Sequence, residues 1–532
     1  MNEHSKTVLS YHNRSKHHLQ RYAKGPESID WEDQPDSFRR FSGCKIIKLP
    51  KPGSELDVLY SELDTPLAVN SKPLNIDHLG LLFELAFGLS AWKQFGPSRW
   101  ALRCNPSSGN LHPTEAYIIS TGNDFIESGV YHYVSHIHSL ERRCRFTDNL
   151  PNAHLLIGLS SIHWREAWKY GERAYRYCQH DIGHALGAIR YAAATLGWSI
   201  ELVSELSDED LEQLLGLNRD DFKSNEKESP DILLRINTHA HDYSFDHIQT
   251  ILIAAQTGSW SGKANSLGAY HMYQWSIIEE VSLSAHKPQT QELNWRTEYQ
   301  TQIKSSCSKT ATHIIRQRRS AQQFDGKMFP MPQTNFYRML AAVLPNTASF
   351  ELWPWSPKIH LFIFIHRVEN LVPGLYALPR DNKALEKLKA ATLADFDWQE
   401  LSELIPLYHL HSGDYKQIAK TLSCHQPIAS DSAFSLSMVA EFSECIENQA
   451  WQYRRLFWEC GLIGQILYLE AEAANLRGTG IGCYFDDSIH ELLGFKDEQF
   501  QSLYHFTVGK PLEDKRIETL PAYEHLKDVK EE

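Results

Sequence analysis

Four segments of the chain combine residue types that could do chemistry. The first runs from Arg103 to Pro113 and contains Pro106, Ser107, Ser108, Gly109 and Asn110. Proline, serine, glycine and asparagine together make a turn dense in hydrogen-bond donors, and their small side chains let a flat ligand approach the main chain. Read locally, the same residues also suit an ordinary loop before the strand-like EAYIIS. The second, IIRQRRSAQQF, places Arg318, Arg319 and Ser320 side by side, with Gln322 following. Two guanidinium forks and a hydroxyl match the oxygens of a phosphate, although such a cluster by itself also reads as a solvated helix end. Asn13-Arg14-Ser15 resembles it near the start of the chain. The third is Gly478-Thr479-Gly480-Ile481-Gly482, where repeated glycine permits unusual φ values and close backbone approach. It follows a helix, so it is not a dinucleotide fingerprint, and a structural helix-to-strand turn is the plain alternative. In the fourth, WKYGERAYRY, Lys169 stands beside Tyr170. An ammonium next to a phenol could lower its pKa and make it a base, whereas Lys, Tyr, Glu and Arg at helical spacing also form salt-bridged surface faces.

Histidines invite a metal hypothesis at His132/His136/His138 and at His239/His241/His247, the latter with Asp242 and Asp246. Neither set has the i, i+4 helical pairing with an acid that makes a zinc site specific, so no metal is assigned.

The elements that must position these segments repeat. Tyr175-Arg176 matches Tyr453-Arg454, Gly183 matches Gly461, and Leu214-Leu215-Gly216 matches Leu492-Leu493-Gly494, all at an offset of 278 residues. HDIGHALGAIRYAAATLG and ECGLIGQILYLEAEAANL each read as a long amphipathic helix carrying small residues, followed by a shorter helix and a β-like run. Earlier, Gly129-Val-Tyr-His-Tyr and Gly374-Leu-Tyr-Ala-Leu pair at an offset of 245. Several matches in one order indicate an internal duplication. The expected fold is α+β: two tandem α/β sandwich domains, residues 1–255 and 301–532, packed as an intrachain pseudo-dimer. Residues 256–300, with glycine and serine punctuation, read as a linker or crossover.

Composition sets the outer limits. At 532 residues the chain exceeds one ordinary domain, and its 42% apolar and 22% charged content is that of a soluble globular protein. A net charge of −13 argues against a nucleic-acid partner. No stretch reaches the roughly 20 apolar residues of a membrane span, and the N-terminus lacks the apolar core of a secretory signal. Nine cysteines without a CxxC pair suit reduced thiols, and the expected location is cytoplasmic.

Taken together, YHNRSKHHLQRYA, PSSGNLHPTE, GVYHY, WKYGERAYRY, RRSAQQF, PGLYAL, GIGCYFDD and VGKP resemble the nitroreductase superfamily. Within it they are most similar to the azoline dehydrogenases of thiazole- and oxazole-forming peptide pathways (the SagB/McbC type). The resemblance implies an α+β sandwich binding FMN in clefts between two protomers. Arg318, Arg319, Ser320 and one or both of Lys515 and Arg516 would hold the phosphate. Pro106, Ser107, Ser108 and Asn110 would face the isoalloxazine, and Gly480, Ile481 and Gly482 would edge it. Gln322 departs from the Arg or Lys often found there and removes one phosphate charge. The family's proton-abstracting Lys-Tyr pair maps onto Lys169 and Tyr170.

The motifs are unequal. The intact loop lies in the first copy, while the intact Arg-Arg-Ser and glycine turn lie in the second, where LPNTASFELWP replaces the loop. One functional FMN per chain is therefore expected, in an oxidoreductase acting on an azoline-like or peptidic substrate. Two alternatives are a nitro or quinone reductase with NAD(P)H as donor, and a non-catalytic scaffold or peptide-binding subunit of a modifying complex.

Overall fold

The computed structural model describes the whole chain apart from residues 51, 66–67, 148–149, 151–153, 220, 239–244, 292–294, 296–302, 448 and 527–532. It begins with helix α1 (Glu3–Arg14), capped by Asn2, whose side chain accepts the Ser5 N–H. A hairpin of β1 (Leu89–Phe95) and β2 (Ser98–Arg103) precedes the first large sheet. That sheet contains β3 (Thr114–Ser120), β4 (Gly129–Val134), β5 (Ser139–Arg145) and β6 (Leu155–Ser161). Helices α2 (His163–Tyr170) and α3 (Ala174–Thr195) follow, then β7 (Ser199–Val203), α4 (Asp208–Leu215) and β8 (Ser229–Asn237). The strand order is β5-β4-β3-β6-β8-β7, antiparallel throughout.

The connecting region is structured within the first half. Helix α5 (Phe245–Thr257) crosses the expected boundary at 255, Ser259–Trp260 adds a short strand to β5, and α6 (Ser276–Ser284) packs on α1. The second half enters through α7 (Ala311–Gln317). Its sheet holds β9 (Ile359–Ile365), β10 (Gly374–Leu378), β11 (Tyr408–Ser412) and β12 (Phe434–Glu441). Next come α8 (Gln452–Ala473), β13 (Arg477–Ile481), α9 (Asp486–Leu493), β14 (Phe500–Gly509) and a last strand, β15 (Glu518–Leu520). Its order, β11-β10-β9-β12-β14-β13, reproduces that of the first sheet. Helices α3 and α8 are both 22 residues long and keep the offset of 278, as do β7 with β13 and α4 with α9.

The halves meet along α3 and α8, and the burial there exceeds the amphipathic expectation. All but one residue of α3 is buried, because its own sheet covers one face and α8 the other. The polar residues that a single-face reading assigns to solvent are instead paired across the interface. Arg176 donates to Asp486 at 2.7 Å, and its counterpart Arg454 donates to Asp208 at 2.6 Å, so the two contacts are related by the internal pseudo-symmetry. Termini are exchanged as well. Helix α1 lies on the second half, where Ser5 donates to the Ile446 carbonyl, and β15 pairs with β1 of the first. Among the described residues no helix is long and apolar enough to cross a membrane.

Candidate functional site

A cavity of about 420 Å³ opens where the two halves meet, lined from both. From the first half comes the turn after β2. Gly109 and Asn110 take φ of +57° and +61°, and a Cβ at Gly109 would stand 2.4 Å from the Tyr170 hydroxyl. Glycine therefore satisfies both the backbone and the crowding there. The turn is held from beneath by Asp181 of α3, whose carboxylate accepts from the Ser108 N–H and Oγ at 3.0 Å each. Burial raises Asp181 to about 7 even though Ser107 and Ser108 bond to it, so its proton is exchangeable near neutrality.

From the second half come the arginine cluster after α7 and the β13 strand. Arg318 is buried and stacks on Tyr468, with its guanidinium carbon 5.2 Å from the ring centroid. It donates to the Arg103 carbonyl at 2.9 Å, while its Nε is buried without a hydrogen-bond partner. Among the described residues Arg319 donates only to the carbonyls of Arg316, Arg318 and Ser90. Burial lowers Arg318, and burial with Arg318 close by pushes Arg319 down to about 10. Neither pairs with a carboxylate among the described residues, which leaves two desolvated cations short of an anion. Ser320 Oγ stands 2.9 Å from the Tyr468 hydroxyl, which also accepts the Gly480 N–H at 2.9 Å. A Cβ at Gly480 would meet Tyr504 and one at Gly482 would meet Tyr177, so this wall is bare main chain backed by rings.

Of the residues singled out in sequence, Pro106, Ser107, Ser108, Asn110, Tyr170, Arg318, Arg319, Ser320, Gln322, Gly480, Ile481 and Gly482 all line this cavity. Three do not. Lys515 is exposed, and Arg516 turns outward to pair with Asp514 at 2.7 Å, while Pro511 to Asp514 and Ile517 reach the cavity instead. Lys169 lies off the lining, its ammonium 5.4 Å from the Tyr170 ring centroid. The expected lowering of Tyr170 is reversed: burial and then Glu166 raise it well above an ordinary phenol. The face expected to be a solvated salt-bridge array is also inverted, since Glu172, Arg173 and Arg176 are buried. Sequence reading missed Lys93, Asp181, His184, Tyr468, Arg477 and Tyr504 at this cavity. Only the α3 spacing of Asp181 and His184, one helical turn apart, hinted at any of them.

The pseudo-symmetric position is built differently. Glu459, the counterpart of Asp181, is paired with Arg380, and Arg190, the counterpart of Tyr468, bonds Glu351 at 3.0 Å. Trp353 and Trp355 of the altered loop are buried, Trp355 against Trp451 and Trp458. A second opening of about 540 Å³ beside this loop has Arg338 and Arg380 on its wall, both already paired with carboxylates.

The histidine sets separate likewise. His132 bridges Glu115 at 3.0 Å and Glu141 at 3.1 Å, His136 contacts Arg40, and His138 bonds Tyr133. The second set, with its neighbouring aspartates, lies outside the described residues and side chains.

This arrangement is the nitroreductase fold in a single chain. No family model matches the sequence. A candidate nitroreductase from Anabaena variabilis superposes with a TM-score of 0.68 at 20% identity, over 95% of this chain and 99% of that one. The whole two-half layout is thus shared. A candidate nitroreductase of Methanocaldococcus jannaschii is 23% identical over 160 residues, 27% of this chain and 76% of that protein. The Escherichia coli microcin synthetase complex McbBCD, solved with truncated pro-MccB17, aligns over 45% of this chain and 94% of its own matched chain at 16% identity. Its TM-score of 0.26 carries no argument about function.

Proposed function

We propose that the chain is an FMN-dependent oxidoreductase with one active cavity, carrying out two-electron chemistry on a small-molecule or peptide substrate. The observation that carries this reading is the carboxylate-free pair on the cavity wall, buried Arg318 and half-buried Arg319, with Arg318 Nε unpartnered among the described residues. A phosphate ester supplies the missing anion, and a hydrogen bond to a charged group contributes roughly 1.5–3 kcal/mol. Ser320 and the bare wall of Gly480 to Gly482 would hold the rest of FMN against the Ser107–Asn110 turn, and bound FMN supplies the hydride chemistry.

The protonation of the site favours the reductive direction. Azoline oxidation needs a base, yet Tyr170 keeps its proton, held by burial and Glu166, with its hydroxyl at the turn. A protonated phenol suits delivery of a proton to a substrate that accepts a hydride. We therefore favour reduction of a nitro- or quinone-like acceptor with NAD(P)H as donor. Azoline dehydrogenation is the second reading, supported by the position of Tyr170 on the cavity wall.

An absorption spectrum with flavin stoichiometry tests the site. One FMN per chain is expected, and Arg318→Ala should weaken retention at least about tenfold. A colourless protein that takes up no added FMN overturns the flavin reading, and a ratio near two overturns the single cavity. Turnover then separates the directions. NAD(P)H oxidation with a quinone should fall about a hundredfold in Tyr170→Phe and little in Lys169→Ala. Equal losses in both variants, with an azoline peptide as the better substrate, favour the dehydrogenase.

A further inference from the structure

Asp181 of α3 is 1% exposed and lines the cavity beside half-buried Ser108. Among the described residues no lysine, arginine or histidine pairs with it, whereas its counterpart Glu459 is bound by Arg380. Its hydrogen bonds let the carboxyl change protonation state without moving. The Ser108 N–H lies 3.0 Å from Oδ1 and 3.1 Å from Oδ2, so either oxygen accepts it. The Ser108 hydroxyl lies 3.0 Å from Oδ1. An ionised carboxylate only accepts, so the Ser108 hydroxyl proton is then spent on Oδ1 and the cavity meets an acceptor oxygen. A protonated carboxyl has one hydrogen to give. With that hydrogen on Oδ1, the N–H stays on Oδ2, Oδ1 donates to Ser108 Oγ, and the hydroxyl's own proton is free to face the cavity.

The side chains around Asp181 leave that choice to its own proton. Facing it are Glu166 and Tyr170 of α2, Cys178 of α3, Tyr468 of α8 and Tyr504 of β14. Burial raises each of these and favours its uncharged form. His112 after the turn and His184 one helical turn along α3 are lowered by burial, His184 to about 3, and are uncharged as well. Arg318 stacks on Tyr468 and gives its hydrogen bond to the Arg103 carbonyl, not to Asp181. Burial then lifts Asp181 to about 7 against the pull of the serines, so both states are populated near neutrality.

We propose that Asp181 is a positioning residue that sets whether Ser108 offers the cavity a hydroxyl donor or only an acceptor. A ligand that presents a hydrogen-bond acceptor to this turn then binds with uptake of one proton. That proton comes from solvent and forms the Oδ1–H bond of Asp181, while the Ser108 hydroxyl rotates and no bond of the ligand changes. The identity of the ligand rests on the flavin reading, since a flavin ring carries such acceptors; the switch between Asp181 and Ser108 does not.

Infrared difference spectra of the ligand-free full chain, titrated from about pH 5 to pH 9, test the switch. A carboxyl C=O band should disappear with a midpoint of about 7 and be missing in Asp181→Asn. Ser108→Ala removes a hydroxyl that bonds the carboxylate more strongly than the acid, and should raise that midpoint by about one unit. A midpoint unmoved in Ser108→Ala, or no band titrating in this range, overturns the proposal, and the Ser108 comparison alone decides if Asp181→Asn does not fold. With FMN as the probe, the ratio of affinity at pH 6 to that at pH 8 should be about tenfold higher in the wild type than in Asp181→Asn. The asparagine amide donates to Ser108 Oγ at every pH, and titration of the FMN phosphate cancels in the comparison. Equal ratios would overturn the coupling to the ligand. No FMN binding at any pH counts against the flavin reading alone, and the infrared titrations then decide the switch.

Discussion

At the scale of single residues, burial decides which charges are available to a ligand. Arg318 and Arg190 are both buried arginines, yet Arg190 is matched by Glu351 and Arg318 by no carboxylate among the described residues. That difference separates a structural ion pair from a candidate anion site. The network around His132 is of the structural kind and makes a testable contribution to stability. Burial disfavours its charged form, but the flanking carboxylates of Glu115 and Glu141 outweigh it and raise His132 to about 9. A histidine whose folded pKa lies above its unfolded value of about 6.5 stabilises fully below that value. The contribution is then lost as pH rises to about 9, amounting to about 3 kcal/mol at 1.36 kcal/mol per unit. Urea unfolding of the wild type should therefore weaken between pH 6.5 and 9. His132→Gln should flatten that slope, and an unchanged slope in the variant would assign the pH dependence elsewhere.

At the scale of elements, the α3–α8 crossing positions the cavity floor, because Asp181 and His184 lie on one helix and Tyr468 on the other. The close approach depends on Gly183 and Gly461. A Cβ on Gly183 would stand 2.2 Å from the Trp458 carbonyl oxygen and 2.7 Å from the Gly461 Cα. These are backbone atoms that cannot rotate away, so the helices must separate. Alanine improves helix propensity by about 1 kcal/mol, but overpacking of this kind costs typically 1–3 kcal/mol or more. Gly183→Ala and Gly461→Ala should each lower the denaturation midpoint and loosen whatever ligand the cavity holds. A midpoint raised in both variants would show that the helices can part without cost.

At the scale of the whole molecule, one cavity is assembled from unequal halves, and the halves depend on each other. Helix α1 is seated on the second half, β15 is seated on the first, and α3 is covered by α8. Fragments spanning 1–290 and 303–532 should each be insoluble when expressed alone, since each would expose a helix face buried in the intact chain. Co-expression should recover a soluble pair that elutes with the size of the full chain. A soluble, monodisperse first fragment on its own would contradict this dependence.

Much of this was legible from residue order. The 278-residue offset marked α3 with α8 and α4 with α9, because the matched helices retain a small residue at Gly183 and Gly461 and a terminal glycine at Gly216 and Gly494, while the pairing of β7 with β13 emerged only in the structure. The Ser107–Asn110 turn and the Arg318–Ser320 cluster were recognisable because turn-forming and cationic stretches are local signatures, whereas the glycine segment, read as a turn, is the strand β13, and none of Gly478, Gly480 and Gly482 takes a positive φ. What order alone could not supply was orientation and burial. The burial that raises Tyr170 and the outward turn of Arg516 to Asp514 depend on neighbours that exclude water and on the path of the folded main chain. Sequence determined the repeat and the local chemistry of each segment, since both follow from nearest neighbours along the chain. The unequal motifs already pointed to one composite site; only the tertiary structure decided that Asp181 and Tyr468 complete it and that Trp353, Trp355 and the Arg380–Glu459 pair occupy the pseudo-symmetric position, because desolvation and approach are properties of packing.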